Sequence, residues 1–280
     1  MENKSITIEK FNGDMEEFDV EKLKTSLRRS KASESEVDKV VENIIPILYD
    51  GISSKKIYKK AFSMLKKQNR TSASKYSLKR AILDLGPTGF PFERLIGALL
   101  KHHGFTTQVS VTLQGECVTH EVDVLAEKDG NTYAIECKFH ADFRTSSSVK
   151  VPLYINSRFL DLQKRWNDNA KKKSHLKQGW IVTNTRFTSD AIDYGKCVGL
   201  HLLSWDYPEG DGLKQNVDKY GLYPITTLTK LKKREKDLII ENKIILTKEL
   251  YESPSILDEI GLKPSRKKKV LDEIKALCDL

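Results

Sequence analysis

Cysteine is scarce in this chain. The 280 residues hold four, Cys117, Cys137, Cys197 and Cys278, with no Cys-x-x-Cys pair and no framework spacing. That excludes a disulfide scaffold and leads us to expect reduced thiols in a cytoplasmic protein. No apolar run is long enough to cross a bilayer, so no membrane partner is expected. The opening MENKSITIEK lacks the apolar core of a secretory signal. No Gly-rich phosphate loop of the Walker type occurs, which excludes ATP hydrolysis as a motor. Acidic residues are in the minority, 39 against 48 Lys and Arg, and the net charge of +9 implies a polyanionic partner. The length has room for roughly two or three modest domains.

What is present centres on His120 to His140, HEVDVLAEKDGNTYAIECKFH. Asp129-Gly130 is a two-residue turn signal between alternating segments and predicts a β-hairpin. Such a turn sets the register, so Asp123 faces Glu136 and Glu121 faces Lys138. With side chains alternating, Asp123, Glu136 and Lys138 share one face, and Val122, Val124, Ile135, Cys137 and Phe139 share the other. Two carboxylates beside a lysine suit metal-assisted phosphodiester hydrolysis. The carboxylates hold Mg²⁺ or Mn²⁺, and the lysine orients water or stabilises charge on the phosphate. A solvated strand face with cross-strand charge pairs accounts for the same residues equally well.

The flanks separate the two readings. Upstream lies GPTGFPFERLIGALLKHHGFTTQVSVTLQGECVTHEVDV, with a helix that carries Phe-Glu near its start. Downstream come a second helix and the β-α-β pattern GWIVTNTRFTSDAIDYGKCVGLHLLSWD. Over roughly residues 86–207 this order resembles the Mrr-like branch of the PD-(D/E)xK nucleases. The resemblance implies an α/β restriction-endonuclease-like core with a mixed sheet. It puts the metal-binding carboxylates at Asp123 and Glu136, the catalytic lysine at Lys138 and the helix glutamate at Glu93. Without the resemblance, Glu93 only complements the helix dipole. His140 lies on the Asp123 face as a phosphate contact or proton-transfer group, and Arg158, Lys164 and Arg165 are expected to touch DNA phosphates. Cys117-x-x-His120 and Cys137-x-x-His140 have zinc-ligand spacing, but alternation divides each pair between opposite faces.

Residues 1–85 read as a short hairpin and four helices. Asp19 caps the first helix, and the second, from about Ser35 to Tyr49, contains Pro46. Ser53 caps the third, and Ser72 or Ser74 opens a fourth that ends near Leu85. The motifs IEKFNGDMEEFDVEKL and YDGISSKKI resemble the ATP-cone, the nucleotide-binding regulatory domain of ribonucleotide reductases and their repressors. The resemblance implies ATP or dATP as a regulatory ligand held by Lys10, Glu16, Asp19, Lys22 and Ser54, with homo-oligomer formation through this domain. The family usually has Lys-Arg before the turn. Here the second residue is Phe11, which removes one phosphate contact.

Residues 208–280 begin with the turn-rich Pro208–Gly212 and are otherwise helical. Two helices around Ile260-Gly261-Leu262 resemble a helix-hairpin-helix, with Arg266 and Lys267 beyond the turn as DNA contacts. The expectation is an α+β multidomain protein: a mostly helical ATP-cone, a mixed-sheet nuclease core and a helical C-terminal region. Its expected activity is metal-dependent cleavage of DNA, in restriction or repair, under nucleotide control. The alternatives are a nucleotide-controlled DNA-binding regulator that does not cut, and an RNA-directed nuclease.

Overall fold

A computed structural model describes residues 6–10, 13–86 and 88–280. Phe11 and Asn12, on which the first turn depends, and Pro87 at the expected domain boundary lie outside the described residues. The chain divides into two compact units. One takes the N-terminal stretch to Ala81 together with Ile225–Glu241 and Thr247–Leu280; the other takes Ile82–Pro224 and Asn242–Leu246. The sequence boundaries at 85/86 and 207/208 therefore differ from these, and the stretch after 207 is shared between the units.

The first unit opens with β1 (Thr7–Glu9) and β2 (Met15–Glu17), antiparallel, with Ile8 opposite Glu16. Asp19 caps α1 (Val20–Arg28), accepting from the N–H groups of Glu21 and Lys22 at 2.8 and 3.2 Å. A capping box of Ser33 and Glu36 starts α2 (Glu34–Ile44). Pro46 falls in a 3-10 turn just after α2, so it ends that helix early. β3 (Ile52–Ser53) joins β1 in parallel, with Glu9 opposite Ser53, and α3 (Ser54–Gln68) follows directly. The single helix expected from Ser72 or Ser74 is two, α4 (Arg70–Tyr76) and α5 (Leu78–Leu83). Asn69 supplies the cap, accepting from Ser72 N–H at 3.1 Å. Leu27, Val40, Ile44, Ile52, Ala61 and Leu65 fill the core.

The second unit runs α6 (Phe90–His102), β4 (Thr106–Gln114), β5 (Thr119–Lys128), β6 (Asn131–Lys138), β7 (Ser146–Ser147) and α7 (Lys150–Asn167). It continues with β8 (His175–Thr183), β9 (Arg186–Phe187), α8 (Ser189–Cys197), β10 (His201–Leu203) and α9 (Leu213–Tyr220). The main sheet has the order β10-β8-β6-β5-β4. β4, β5 and β6 are antiparallel, whereas β6, β8 and β10 are parallel. The sheet is therefore mixed, because a helix must connect each parallel pair. Asp129 and Gly130 have φ of 51° and 71°, the left-handed pair that a two-residue hairpin turn needs. Val124 faces Ile135 and Lys128 faces Asn131, the register that the turn dictates.

Helices cover both faces of the sheet. On one face a Cβ added at Gly97 of α6 would lie 3.0 Å from Val109. On the other, Phe159, Leu162 and Trp166 of α7 pack with Val122, Ala134 and Leu176. The alternation changes phase at one rung. Val109 pairs with Val124 and Val111 with Val122, but Leu113 and Val122 both pack into the α7 cluster. Between them Ser110 has φ of 55°. This corrects the expectation that Val122 and Val124 share an apolar face: a regular pleat does not continue through Ser110 and Asp123. Nor is the carboxylate face an open surface, since Ala134 on it lies in the α7 core.

The chain then adds α10 (Lys233–Glu241), α11 (Thr247–Glu252), α12 (Ile256–Glu259) and α13 (Pro264–Cys278). Buried Glu273 of α13 accepts from the N–H groups of Thr229 and Lys230 at 2.8 and 3.0 Å and from the Thr229 hydroxyl at 2.6 Å. Hydrogen bonds tie these late elements to the N-terminal helices: Ser74 Oγ to Thr227 O at 3.1 Å, and Thr226 Oγ1 to Ala81 O at 2.6 Å. Among the described residues no helix is long and apolar enough to cross a membrane.

Candidate active site

The β5–β6 ladder stops at the Val124–Ile135 rung. Asp123 is the next residue of β5, and its side chain takes over. Its Oδ2 accepts from the Cys137 N–H at 2.6 Å, bridging the strands where the ladder has ended. Burial first, and then the charge of Glu136, raise the Asp123 carboxyl to about 7. The Cys137 N–H pulls the other way, and Glu93 adds to the rise.

Glu136 lies on the central strand β6, paired in parallel with Ile181 of β8, and is 9% exposed. Both its oxygens have cationic partners, Lys138 Nζ at 2.7 Å and Arg158 Nη1 at 2.8 Å. Lys138 is two residues on along the same face and half-buried, so its ammonium stays accessible. The second Arg158 nitrogen donates to the Glu121 carbonyl, and its guanidinium lies 5.5 Å from the Tyr154 ring centroid. Arg158, expected as a phosphate contact, is thus bound into the site through Glu136.

Glu93, in the first turn of α6, accepts from Ser110 Oγ at 3.2 Å. Burial raises its carboxyl, the Ser110 hydrogen bond opposes that, and the charges of Glu121 and Glu136 add to it. Asp123, Glu136, Lys138 and Glu93 therefore sit within one electrostatic neighbourhood. His140 is held at its backbone by Asn184, which accepts from its N–H at 2.8 Å and donates to its carbonyl at 2.9 Å. Its Nε2 lies 3.0 Å from Ser147 Oγ. Burial, then the charge of Lys138, lowers its pKa.

The other expected contacts are dispersed. Lys164 and Arg165, in the last turn of α7, are exposed, and Lys164 lies 3.3 Å from Glu116. Arg266 binds Glu235 at 2.6 Å and Lys267 binds Asp258 at 2.5 Å. In the first unit Lys10 and Lys22 both ion-pair with Glu16, and Asp19 is the adjacent helix cap. Ser54 starts α3, one residue past the Glu9–Ser53 pair, as Lys10 follows Glu9. The zinc-like spacings are not used: His120 Nε2 lies 2.7 Å from Asp161 Oδ2, and Cys137 is buried. Among the described residues no three His, Cys, Asp or Glu side chains converge as metal ligands.

Sequence reasoning missed Asp161. Its carboxylate also accepts from Cys117 N–H at 2.8 Å and Val118 N–H at 3.4 Å, pinning the β4–β5 turn to α7. Only the long-range contact reveals this; as one Asp on a polar helix face it carries no local signal.

Comparison with known proteins places this geometry. A family model described as restriction endonuclease, of the Mrr catalytic type, matches residues 87–154, which contain Glu93, Asp123, Glu136 and Lys138. A second, described as AF1548-like, C-terminal, matches residues 223–278. An uncharacterized protein of Archaeoglobus fulgidus is 38% identical over 178 residues, 63% of this chain and 96% of its own length. The chain belongs to the AF1548-like family. A crystal structure titled as that of AF1548, a protein of unknown function, is 35% identical, with a TM-score of 0.56. It covers 69% of this chain and 99% of its own. The C-terminal stretch read as helix-hairpin-helix-like is AF1548-like, and the nuclease part of the sequence reading agrees with the restriction endonuclease match. Residues 1–86 lie outside both family models.

Proposed function

We propose that this AF1548-like protein is a metal-dependent endonuclease that hydrolyses phosphodiester bonds of DNA. One observation carries the reading: the half-buried Asp123, raised to about 7, beside Glu136 with its Lys138 partner, inside the restriction endonuclease match. The donor chemistry fits a hard divalent cation. Asp123 and Glu136 offer oxygen alone, and burial with the neighbouring Glu136 charge makes ionised Asp123 costly unless positive charge arrives. Mg²⁺ or Mn²⁺ held by Asp123 and Glu136 would supply an acidified water and charge neutralisation on the phosphate. The chain's own contribution is positional. Lys138 presents an ammonium beside Glu136 for the attacking water or for charge developing on the phosphate. Arg158 holds the Glu136 carboxylate in place from α7.

The test is cleavage of plasmid, linear, branched and RNA substrates with Mg²⁺ or with EDTA. Asp123→Ala and Glu136→Ala should each lower the rate at least a hundredfold and stay folded; Lys138→Ala should lower the rate but spare metal binding. Wild-type cutting by Asp123→Ala would refute the assignment. DNA binding without cleavage by the intact protein would leave a regulator, and preference for RNA would change the substrate class.

The same proposal gives the N-terminal segment a regulatory adenine nucleotide, ATP or dATP. Its support is the meeting of Lys10, Glu16 and Lys22 beside the Asp19 cap. Glu16 pairs with both lysines, so a nucleotide phosphate would have to compete with it.

A further inference from the structure

Ser110 is a non-glycine residue with φ of 55° inside a strand. The left-handed region is costly for a residue with a Cβ and rare within sheets. The flanking rungs, Val109–Val124 and Val111–Val122, are intact, and Ser110 lies opposite Asp123 between them. At that step both strands change the face they present: Val109 meets α6, whereas Leu113 and Val122 meet α7. Toward β6, the ladder ends at the Val124–Ile135 rung, and Asp123 accepts from Cys137 N–H instead. The Ser110 hydroxyl reaches α6 and donates to Glu93 at 3.2 Å.

We propose that Ser110 is a positioning residue of the active site: its left-handed backbone breaks the pleat so that Asp123 leaves the ladder, and its hydroxyl holds Glu93 toward the Asp123–Glu136 pair. The strain has a use. A regular strand at Ser110 would keep Val122 and Val124 on one face and Asp123 in an ordinary rung. The kink frees the carboxylate while the rungs on either side keep β4 and β5 joined. This rests on the nuclease reading and names two acting parts of one residue, which substitution can separate. Ser110→Gly keeps the positive φ and removes the hydroxyl. Ser110→Thr keeps the hydroxyl and opposes the positive φ, because a β-branched side chain is a poor fit there.

The measurement is Mn²⁺ affinity by titration calorimetry, with melting in EDTA alongside, on the full chain. Ser110→Gly should melt higher than wild type, since strain is relieved. It should bind Mn²⁺ roughly tenfold more weakly, the scale of one hydrogen bond to a carboxylate. In a Glu93→Gln background the same substitution should have no further effect on Mn²⁺, because the hydroxyl acts through Glu93. Ser110→Thr should stay folded and weaken Mn²⁺ even with Glu93 intact. Wild-type Mn²⁺ affinity in both variants would overturn the inference, as would equal losses with and without Glu93. A wild-type protein that cuts and binds Mn²⁺ while Ser110→Gly behaves identically sinks this inference alone. A wild-type protein that does neither sinks the nuclease reading with it.

Discussion

Asp123 carries its own pH signature. Its carboxyl is raised from the usual 3.8 to about 7 in the fold, first by burial and then by Glu136. In the unfolded chain the same group ionises near pH 4. Between those values the folded protein holds a proton that the unfolded chain has released. Stability must therefore fall as the pH rises from about 4 to about 7, with the full cost present above that. Asp123→Asn removes the charge and keeps the shape. In EDTA it should melt several degrees above wild type at pH 8.5, and the gap should close toward pH 5. A constant gap across that range would mean that Asp123 is ionised in the fold throughout.

At the scale of elements, α7 and the β4–β5 hairpin hold one another. Asp161 of α7 takes the Cys117 and Val118 N–H groups and the His120 ring, and a Cβ at Gly115 would fall 2.1 Å from its Oδ2. These donors, the Cys117 N–H first, hold its carboxyl down at about 2. A depressed carboxylate stabilises the fold above its unfolded value near 4, and that contribution is lost as the pH falls toward 2. Asp161→Ala should speed amide exchange at Cys117 and Val118 by an order of magnitude or more and lower the melting temperature at neutral pH. Its deficit should shrink in acid. Unchanged exchange would show that the turn holds itself. Local chemistry made much of this architecture legible. Asp129-Gly130 dictated the hairpin register and Asp19 the first helix start, whereas α2 stops at Ile44, short of the expected Tyr49. Asp123, Glu136 and Lys138 were named from spacing, and the structure brings them together. The phase change at Ser110 was not legible, because alternation presumes a regular pleat and serine gives no warning of a positive φ. The meeting of Arg158 with Glu136 was not legible either, because nothing local in the sequence joins α7 to β6 at that point. β3, β7 and β9 span two residues each, too few to show a period.

For the whole molecule the charge of +9 would set the terms of the proposed DNA binding. Affinity should fall steeply with salt, with a log–log slope reflecting roughly four or more released counterions. A salt-insensitive affinity would mean that the basic surface is not the footprint. A second expectation concerns the N-terminal segment. ATP or dATP, titrated calorimetrically with light scattering alongside, should bind and change oligomeric state or cleavage rate without being consumed, since a regulator acts by favouring one state. Lys22→Ala should abolish that response and leave metal-dependent cutting intact. No heat at millimolar nucleotide would leave the first 81 residues a structural part of their unit.

That unit is closed by both ends of the chain. Ser74 and Ala81 find their partners at Thr227 and Thr226, and Glu273 gathers the Thr229–Lys230 turn. On the ribosome the N-terminal helices emerge first, yet they cannot complete their contacts until the last stretch is released. The unit with the five-stranded sheet is nearly contiguous and has almost all its chain once Pro224 has appeared. Folding therefore need not follow the order of synthesis: the middle can finish while the beginning waits. In stalled nascent chains of increasing length, protease resistance should arise first in residues 82–224, and in residues 1–81 only once residues 225–280 have emerged.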